Sequence, residues 1–187
     1  MSKAAQPATK VVLENVRFSY AHVFAPAAIV EGNDPKYSVT ILIPKKDKKA
    51  LAKIEKAIEA AKQNGATLWG GKIPTTLKTP LRDGDEDKPD MEEFEGMYFM
   101  NANSLNKPGL VDKKGQPIID PTEFYSGCYG AVSVNFFPYN QAGNRGIGAG
   151  LNNIMKTDEG EPLAGRSRPE DDFRDLIGDD DEDDLGL

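Results

Sequence analysis

The chain has 187 residues, with 23 Lys or Arg against 30 Asp or Glu, a formal net charge of −7, one cysteine and one histidine. One Cys and one His cannot supply the three or four ligands of a zinc centre, a lone Cys closes no intramolecular disulfide, and no apolar run reaches the ~18 residues of a membrane span. The length suits one domain, and MSKAAQPATK lacks the apolar stretch of a secretory signal, so a soluble protein of a reducing cytoplasm is expected.

Residues 1–9 are expected to be a flexible leader. In VVLENVRFSYAHVF, Val12, Val16, Phe18 and Tyr20 alternate with Asn15, Arg17 and Ser19, which predicts a half-buried strand. YSVTILIPK, rich in β-branched residues and stopped by Pro44, predicts a second strand. The period then changes. Leu51, Ile54, Ile58 and Ala61 recur at spacings of three and four between Asp47, a plausible N-cap, and Gly65, a stop, so one amphipathic helix of about 15 residues is expected.

Residues 66–96 are punctuated by glycines and prolines and contain an acidic loop, PLRDGDEDKPDMEE. MYFMNANS reads as a strand, and Lys113, Lys114 and Gly115 as a hairpin tip. YGAVSVNFFPY is the clearest strand. Val132, Val134 and Phe136 form its apolar face, while Tyr129, Ala131, Ser133, Asn135, Phe137 and Tyr139 form the other. RGIGAG, with glycines at 146, 148 and 150, reads as a turn, since it lacks the strand-glycine-helix frame of a dinucleotide site. GNRGIGAGLNNIMK as a whole turns through its glycines into a short helix or strand. Several short strands with one inserted helix predict a mainly β fold, a small barrel or sandwich.

GEPLAGRSRP reads as a linker to the last nineteen residues, which hold ten Asp or Glu and one Arg. This tail carries −9 and residues 1–168 carry +2. Mutual repulsion and few apolar groups predict a disordered tail. Its interspersed Phe173, Leu176, Ile177, Leu185 and Leu187 suit docking onto a basic, partly apolar groove.

The polar face of residues 129–139 is the sharpest local feature. Rings on a small-residue sheet surface make stacking platforms for unpaired bases, although packing under a neighbouring loop would also explain them. Cations lie near rings along the chain: Arg17 near Tyr20, Lys36 beside Tyr37, Trp69 near Lys72, Arg145 after Tyr139. Lys45, Lys46, Lys48 and Lys49 crowd the start of the helix. Charge for phosphates and rings for bases are what a single-strand channel needs.

Catalytic readings fare less well. A Ser–His–Asp triad would have to use His22, and no G-x-S-x-G is present. Cys128, in YSGCYGAV, reads as a small buried hydrophobe. Asp83, Asp85 and Asp87 have the first spacings of a calcium loop, but Lys88 stands where its glycine belongs, and a solvated loop is the simpler reading.

YSVTILIPK with its lysine-rich helix, PLRDGDE, FEGMYFMNANS, KPGLVD, FYSGCYGAVSVNFFPY and NRGIGAGLNNI, in that order, resemble a family of tailed-phage single-stranded-DNA-binding proteins formerly filed as a domain of unknown function. The likeness covers roughly residues 10–166. It implies an OB-fold body, a five-stranded β-barrel over residues 10–158, that binds single-stranded DNA without sequence preference. It also implies an acidic tail that competes with DNA for the groove and recruits a polymerase, helicase or primase. Tails in some related phage proteins end on an aromatic, whereas this one ends Leu-Gly-Leu and has Phe173 as its only ring.

The expectation is therefore a non-catalytic, cofactor-free protein of phage DNA replication, recombination or repair in the host cytoplasm. It has a leader (1–9), a barrel (10–158), a linker (159–168) and a tail (169–187), and homo-oligomerisation is left open. Tyr20, Tyr37, Trp69, Tyr129, Phe137 and Tyr139 are the expected stacking rings. Arg17, Lys36, Lys45, Lys46, Lys72, Arg82, Lys107 and Arg145 are the expected phosphate ligands. In the tail, Phe173, Asp179, Asp180, Asp181, Glu182, Asp183, Asp184, Leu185 and Leu187 are the expected contacts. Two alternatives remain: a metal-dependent nuclease using the Asp83–Glu93 carboxylates, and an acidic DNA mimic that binds basic partners.

Overall fold

The computed structural model describes residues 8–28, 32, 34–163 and 173–176. Among the described residues seven strands form one sheet: β1 (Lys10–Ala27), β2 (Lys36–Pro44), β3 (Arg82–Asp83), β4 (Met97–Ser104), β5 (Gly109–Val111), β6 (Tyr129–Gln141) and β7 (Asn144–Asp158). The order is β3-β4-β2-β1-β6-β7-β5, and β4 also pairs in parallel with β7 at Asn103 and Gly150. That pairing closes β1, β2, β4, β7 and β6 into the five-stranded barrel expected of an OB fold, leaving none of the five with a free edge.

Inward positions of every barrel strand meet in one core, with Leu13, Phe18, Ile41, Met100, Val134 and Ile154 essentially inaccessible. β1 is long because it serves two partners, β6 from Lys10 to Arg17 and β2 from Arg17 to Ala27. Non-glycine residues at positive φ, Asn15 (57°) and Tyr20 (46°), accompany its register shifts. The simple alternation expected for β1 therefore fails at both ends. Val16 and Phe18 are buried as expected, but Val12 and Tyr20 are exposed, because each shift moves the strand's side chains to the other face.

Helix α1 (Lys48–Asn64) follows its sequence signals. The Asp47 carboxylate accepts from the Ala50 N–H, and Leu51, Ile54, Ala57, Ile58 and Ala61 face the barrel. Gly65 ends it at φ −91°, without the left-handed turn. A Cβ there would lie 2.5 Å from Pro138 and 2.8 Å from Trp69, so close approach is what requires the glycine. In the stretch read as a punctuated loop, Gly84–Asp87 forms a helical turn, α2, and Phe94 packs with Leu42 and Phe99 in a satellite cluster. Asp112 accepts from the Lys114 and Gln116 N–H groups across the turn at Gly115, φ +82°.

RGIGAG is not a turn. It is the middle of β7, and the turn precedes it at Ala142-Gly143, both at positive φ as a two-residue hairpin of this hand demands. Beyond β7, residues 159–163 are hydrogen-bonded to the body of the fold. Arg17 donates to the Glu161 carbonyl, Gly160 N–H donates to the Tyr125 hydroxyl, and Leu163 N–H donates to the Ser126 carbonyl. Asp179, Asp180, Asp181, Glu182, Asp183, Asp184, Leu185 and Leu187 lie outside the described residues. No helix among the described residues is long and apolar enough to cross a membrane.

Candidate nucleic-acid interface

Strand registers place a row of residues across the closed barrel, exposed at His22 and Lys10, half-buried at Asn103, Gly150 and Asn135, and buried at Ser38. His22 on β1 pairs with Ser38 on β2, Ser38 with Asn103 on β4, Asn103 with Gly150 on β7, Gly150 with Asn135 on β6, and Asn135 with Lys10 back on β1. Five interstrand steps of about 4.8 Å make a belt on the order of 24 Å long. Its floor is small or polar, so a chain lying on it can approach the backbone.

Two hollows lie on this belt. One, of about 590 Å³, is lined by Lys10, Lys107 and the asparagines 106, 135, 152 and 153. The other, of about 610 Å³, is lined by Tyr20, His22, Phe24, Phe124, Tyr125 and Pro162 among others. They adjoin at Lys107, whose ammonium lies 6.0 Å from the Phe24 ring. Amides and cations on one side and rings on the other provide for phosphates, base edges and base faces in turn.

The face of residues 129–139 is as expected, and its rings have a definite seating. Phe137 is 40% exposed and pairs with Gly148, while Tyr139 pairs with Gly146. A Cβ on Gly148 would stand 2.6 Å from the Phe137 ring, and one on Gly146 would stand 2.7 Å from the Tyr139 hydroxyl. The alternate glycines of β7 are thus the bed on which these rings lie. Phe137 also reaches towards Gly150, which places it beside the asparagine hollow. Tyr129 stacks against the Arg17 guanidinium at 5.3 Å, and Tyr20, 43% exposed, lines the apolar hollow.

Other expected site residues are placed elsewhere. Trp69 is only 7% exposed, and its indole N–H donates to the Tyr139 carbonyl at 3.1 Å, so it is a core residue with no face left for a base. Tyr37 shares the inward parity of Val39 and Ile41 and is half-buried, on the opposite face from Ser38. Lys45 is bound by Asp83 and Asp85, each at 2.7 Å, and lies 5.3 Å from the Tyr98 ring. Its hydrogen bonds to both carboxylates, which accept from the ammonium, raise its pKa, and the Lys45 ammonium holds Asp83 and Asp85 below the usual carboxylate range. Arg82 is likewise paired, with Asp87. Arg17 donates to the carbonyls of Gly127 and Glu161, which makes it a positioning residue. Lys36, Lys46, Lys72, Lys107 and Arg145 are exposed, as is Phe173.

Lys10, His22, Phe24, Lys78 and the Asn152–Asn153 pair were missed. Lys78 runs alongside β7, with its ammonium 3.4 Å from Asn144. A signal was available in the Asn pair, since two amides within an apolar strand imply a bulge with an exposed polar edge.

The acidic loop is organised for structure. Asp83 caps α2 through the Asp85 N–H, Asp85 accepts from the Gly96 N–H, and both hold Lys45. No group of three or more His, Cys, Asp or Glu among the described residues could hold a metal ion. Cys128 is fully buried, and burial pushes its thiol up, contrary to what a nucleophile requires.

The closed barrel and its outer belt define an OB-fold protein. Residues 9–185 match the profile of the family described as Enterobacter phage Enc34, ssDNA-binding protein, and the chain belongs to that family. The single-stranded DNA-binding protein of bacteriophage Enc34, solved in complex with ssDNA, is 28% identical with a TM-score of 0.73, over 87% of this chain and 97% of that one. Protein p50 of Acyrthosiphon pisum secondary endosymbiont phage 1 is 27% identical over 166 residues, 83% of this chain and 87% of that protein. Bacteriophage T7 gp2.5, a single-stranded DNA-binding protein, shares the fold at 20% identity and a TM-score of 0.54, over 89% of this chain and 94% of that one.

Proposed function

We propose that the protein is a non-catalytic, sequence-independent single-stranded-DNA-binding protein that coats DNA during phage replication or recombination in the host cytoplasm. The observation that carries this reading is the belt of register partners from His22 to Lys10, with its two adjoining hollows. The family and its member solved with ssDNA support it. Phe137, Tyr20, Tyr129 and Tyr139 stack bases, and Lys10, Lys36, Lys46, Lys72, Lys107 and Arg145 hold phosphates. Bases lying on protein cannot pair, so coating removes hairpins.

In this reading residues 10–158 are the binding domain, 1–9 a leader and 169–187 a regulatory tail. A tethered polyanion imitates the phosphate backbone at high effective concentration. Residues 159–163 support that role, because Pro162 forms part of the wall of the apolar hollow and Arg17 holds the Glu161 carbonyl beside it. DNA displaces the tail, and the freed tail recruits a replication protein with a basic patch. The nuclease alternative loses ground because Asp83 and Asp85 are already engaged by Lys45.

The test is a titration of labelled oligo-dT of ~20 nucleotides with the full chain and a 1–168 truncation at two salt concentrations, read by anisotropy. Both should bind, the truncation more tightly, with a log–log salt slope of about 0.7 per phosphate neutralised. No binding by either would reject the reading. Equal affinities would reject the tail's competition alone.

A further inference from the structure

We infer that the DNA track does not stop at the barrel's edge but continues along one side of α1, on a stripe formed by Lys49, Lys53 and Lys56. The inference rests on reading the belt as the single-strand site. Spacings of four and three put these lysines on one face of the helix, over about 10 Å of its length at 1.5 Å per residue.

All three are exposed, and among the described residues none has a carboxylate within ion-pair distance. Of the helix's acids, Glu59 stands three residues beyond Lys56 but is engaged by Lys62 at 3.9 Å and accepts from Gln63 at 3.3 Å, and Glu55 lies one turn before Glu59.

The stripe is continuous with the belt. Lys53 Nζ lies 3.4 Å from the Val12 carbonyl, and Val12 follows Lys10 on β1 by two positions, on the same outer face. Lys10 is itself in the wall of the asparagine hollow. A phosphodiester chain leaving that hollow past Lys10 crosses Val12, 51% exposed, and meets Lys53, with Glu14 two residues further along β1. The stripe offers charge without rings, so it holds backbone and leaves bases free.

The test uses the full chain, a Lys49→Gln/Lys53→Gln/Lys56→Gln variant, and a Lys48→Gln/Lys62→Gln variant that removes charge from the other side. Glutamine keeps nearly the helix propensity of lysine. Oligo-dT of ~8 and ~20 nucleotides, lengths within and beyond one OB-fold site, are titrated across a salt series. The triple variant should bind the short oligomer as the parent does. On the long one its log–log salt slope should fall by about 2, three phosphates at about 0.7 each, while the control variant keeps the parent slope.

An unchanged long-oligomer slope, or an equal fall in both variants, would overturn the stripe. Tighter binding by the triple variant would also overturn it, by assigning the lysines to the acidic tail. Failure of the parent to bind either oligomer would instead remove the barrel reading on which the inference rests.

Discussion

Phe137 lies on Gly148 with its outer face open, whereas Trp69, the larger ring, is enclosed and hydrogen-bonded to Tyr139. Stacking one base on an exposed ring contributes about 1–3 kcal/mol, so Phe137→Ala should weaken binding of oligo-dT roughly 5- to 150-fold without a large loss of stability. Trp69→Phe should do the reverse, lowering the thermal midpoint with little effect on affinity. Thermal melts and DNA titrations on the two variants check both. A Trp69 variant that lost DNA affinity while keeping its midpoint would contradict the burial argument. The odd-numbered face of β6 was legible because a period of two needs no tertiary information. The seating of its rings was not, since Gly146 and Gly148 serve equally as turn formers and as beds for cross-strand aromatics.

Element by element, the protein depends on close approaches and pins. A Cβ on Gly130 would come within 1.9 Å of the Met155 carbonyl, where β6 leaves register with β7, and backbone cannot swing aside as a ring can. Gly130→Ala should therefore cost about 1–3 kcal/mol, measurable as a lower denaturant midpoint. Lys45 pins β2 to the α2 loop through Asp83 and Asp85. Their carboxylate pKa values are depressed on folding, so that contribution is present above the ordinary carboxylate range, near about 4, and is lost as the pH falls through the folded values. Lys45 is shifted upward, so its share persists until the solution is strongly alkaline. Lys45→Met should be less stable than the parent at neutral pH, and the gap should close below about pH 4, as denaturant melts at several pH values would register. A gap that stayed constant with pH would mean the pin is packing rather than charge. The helix was legible in its cap and period, which are local, whereas the glycine at its end answers to Pro138 and Trp69. The two-partner strand β1 was only half legible, because shifts at Asn15 and Tyr20 answer to neighbours far away in sequence.

At the scale of the whole molecule, charge is partitioned between a nearly neutral body and a strongly acidic end. Field along the belt and the α1 stripe, rather than net charge, is what a phosphate chain meets, so a body of +2 is compatible with a DNA groove. The amino-acid sequence by itself determined the faces of β6, the cap and period of the helix, the acidic tail and the family, since each of these is written in short-range periodicity, composition or an ordered set of motifs. Only the tertiary structure decided which cations are free and which are engaged, separating Lys10 and Lys107 from Lys45 and Arg82, and which ring is buried. It also decided that RGIGAG is a strand. The reason is physical: these outcomes depend on barrel closure between β4 and β7 and on pairings tens of residues apart, which bring together groups that no local pattern relates.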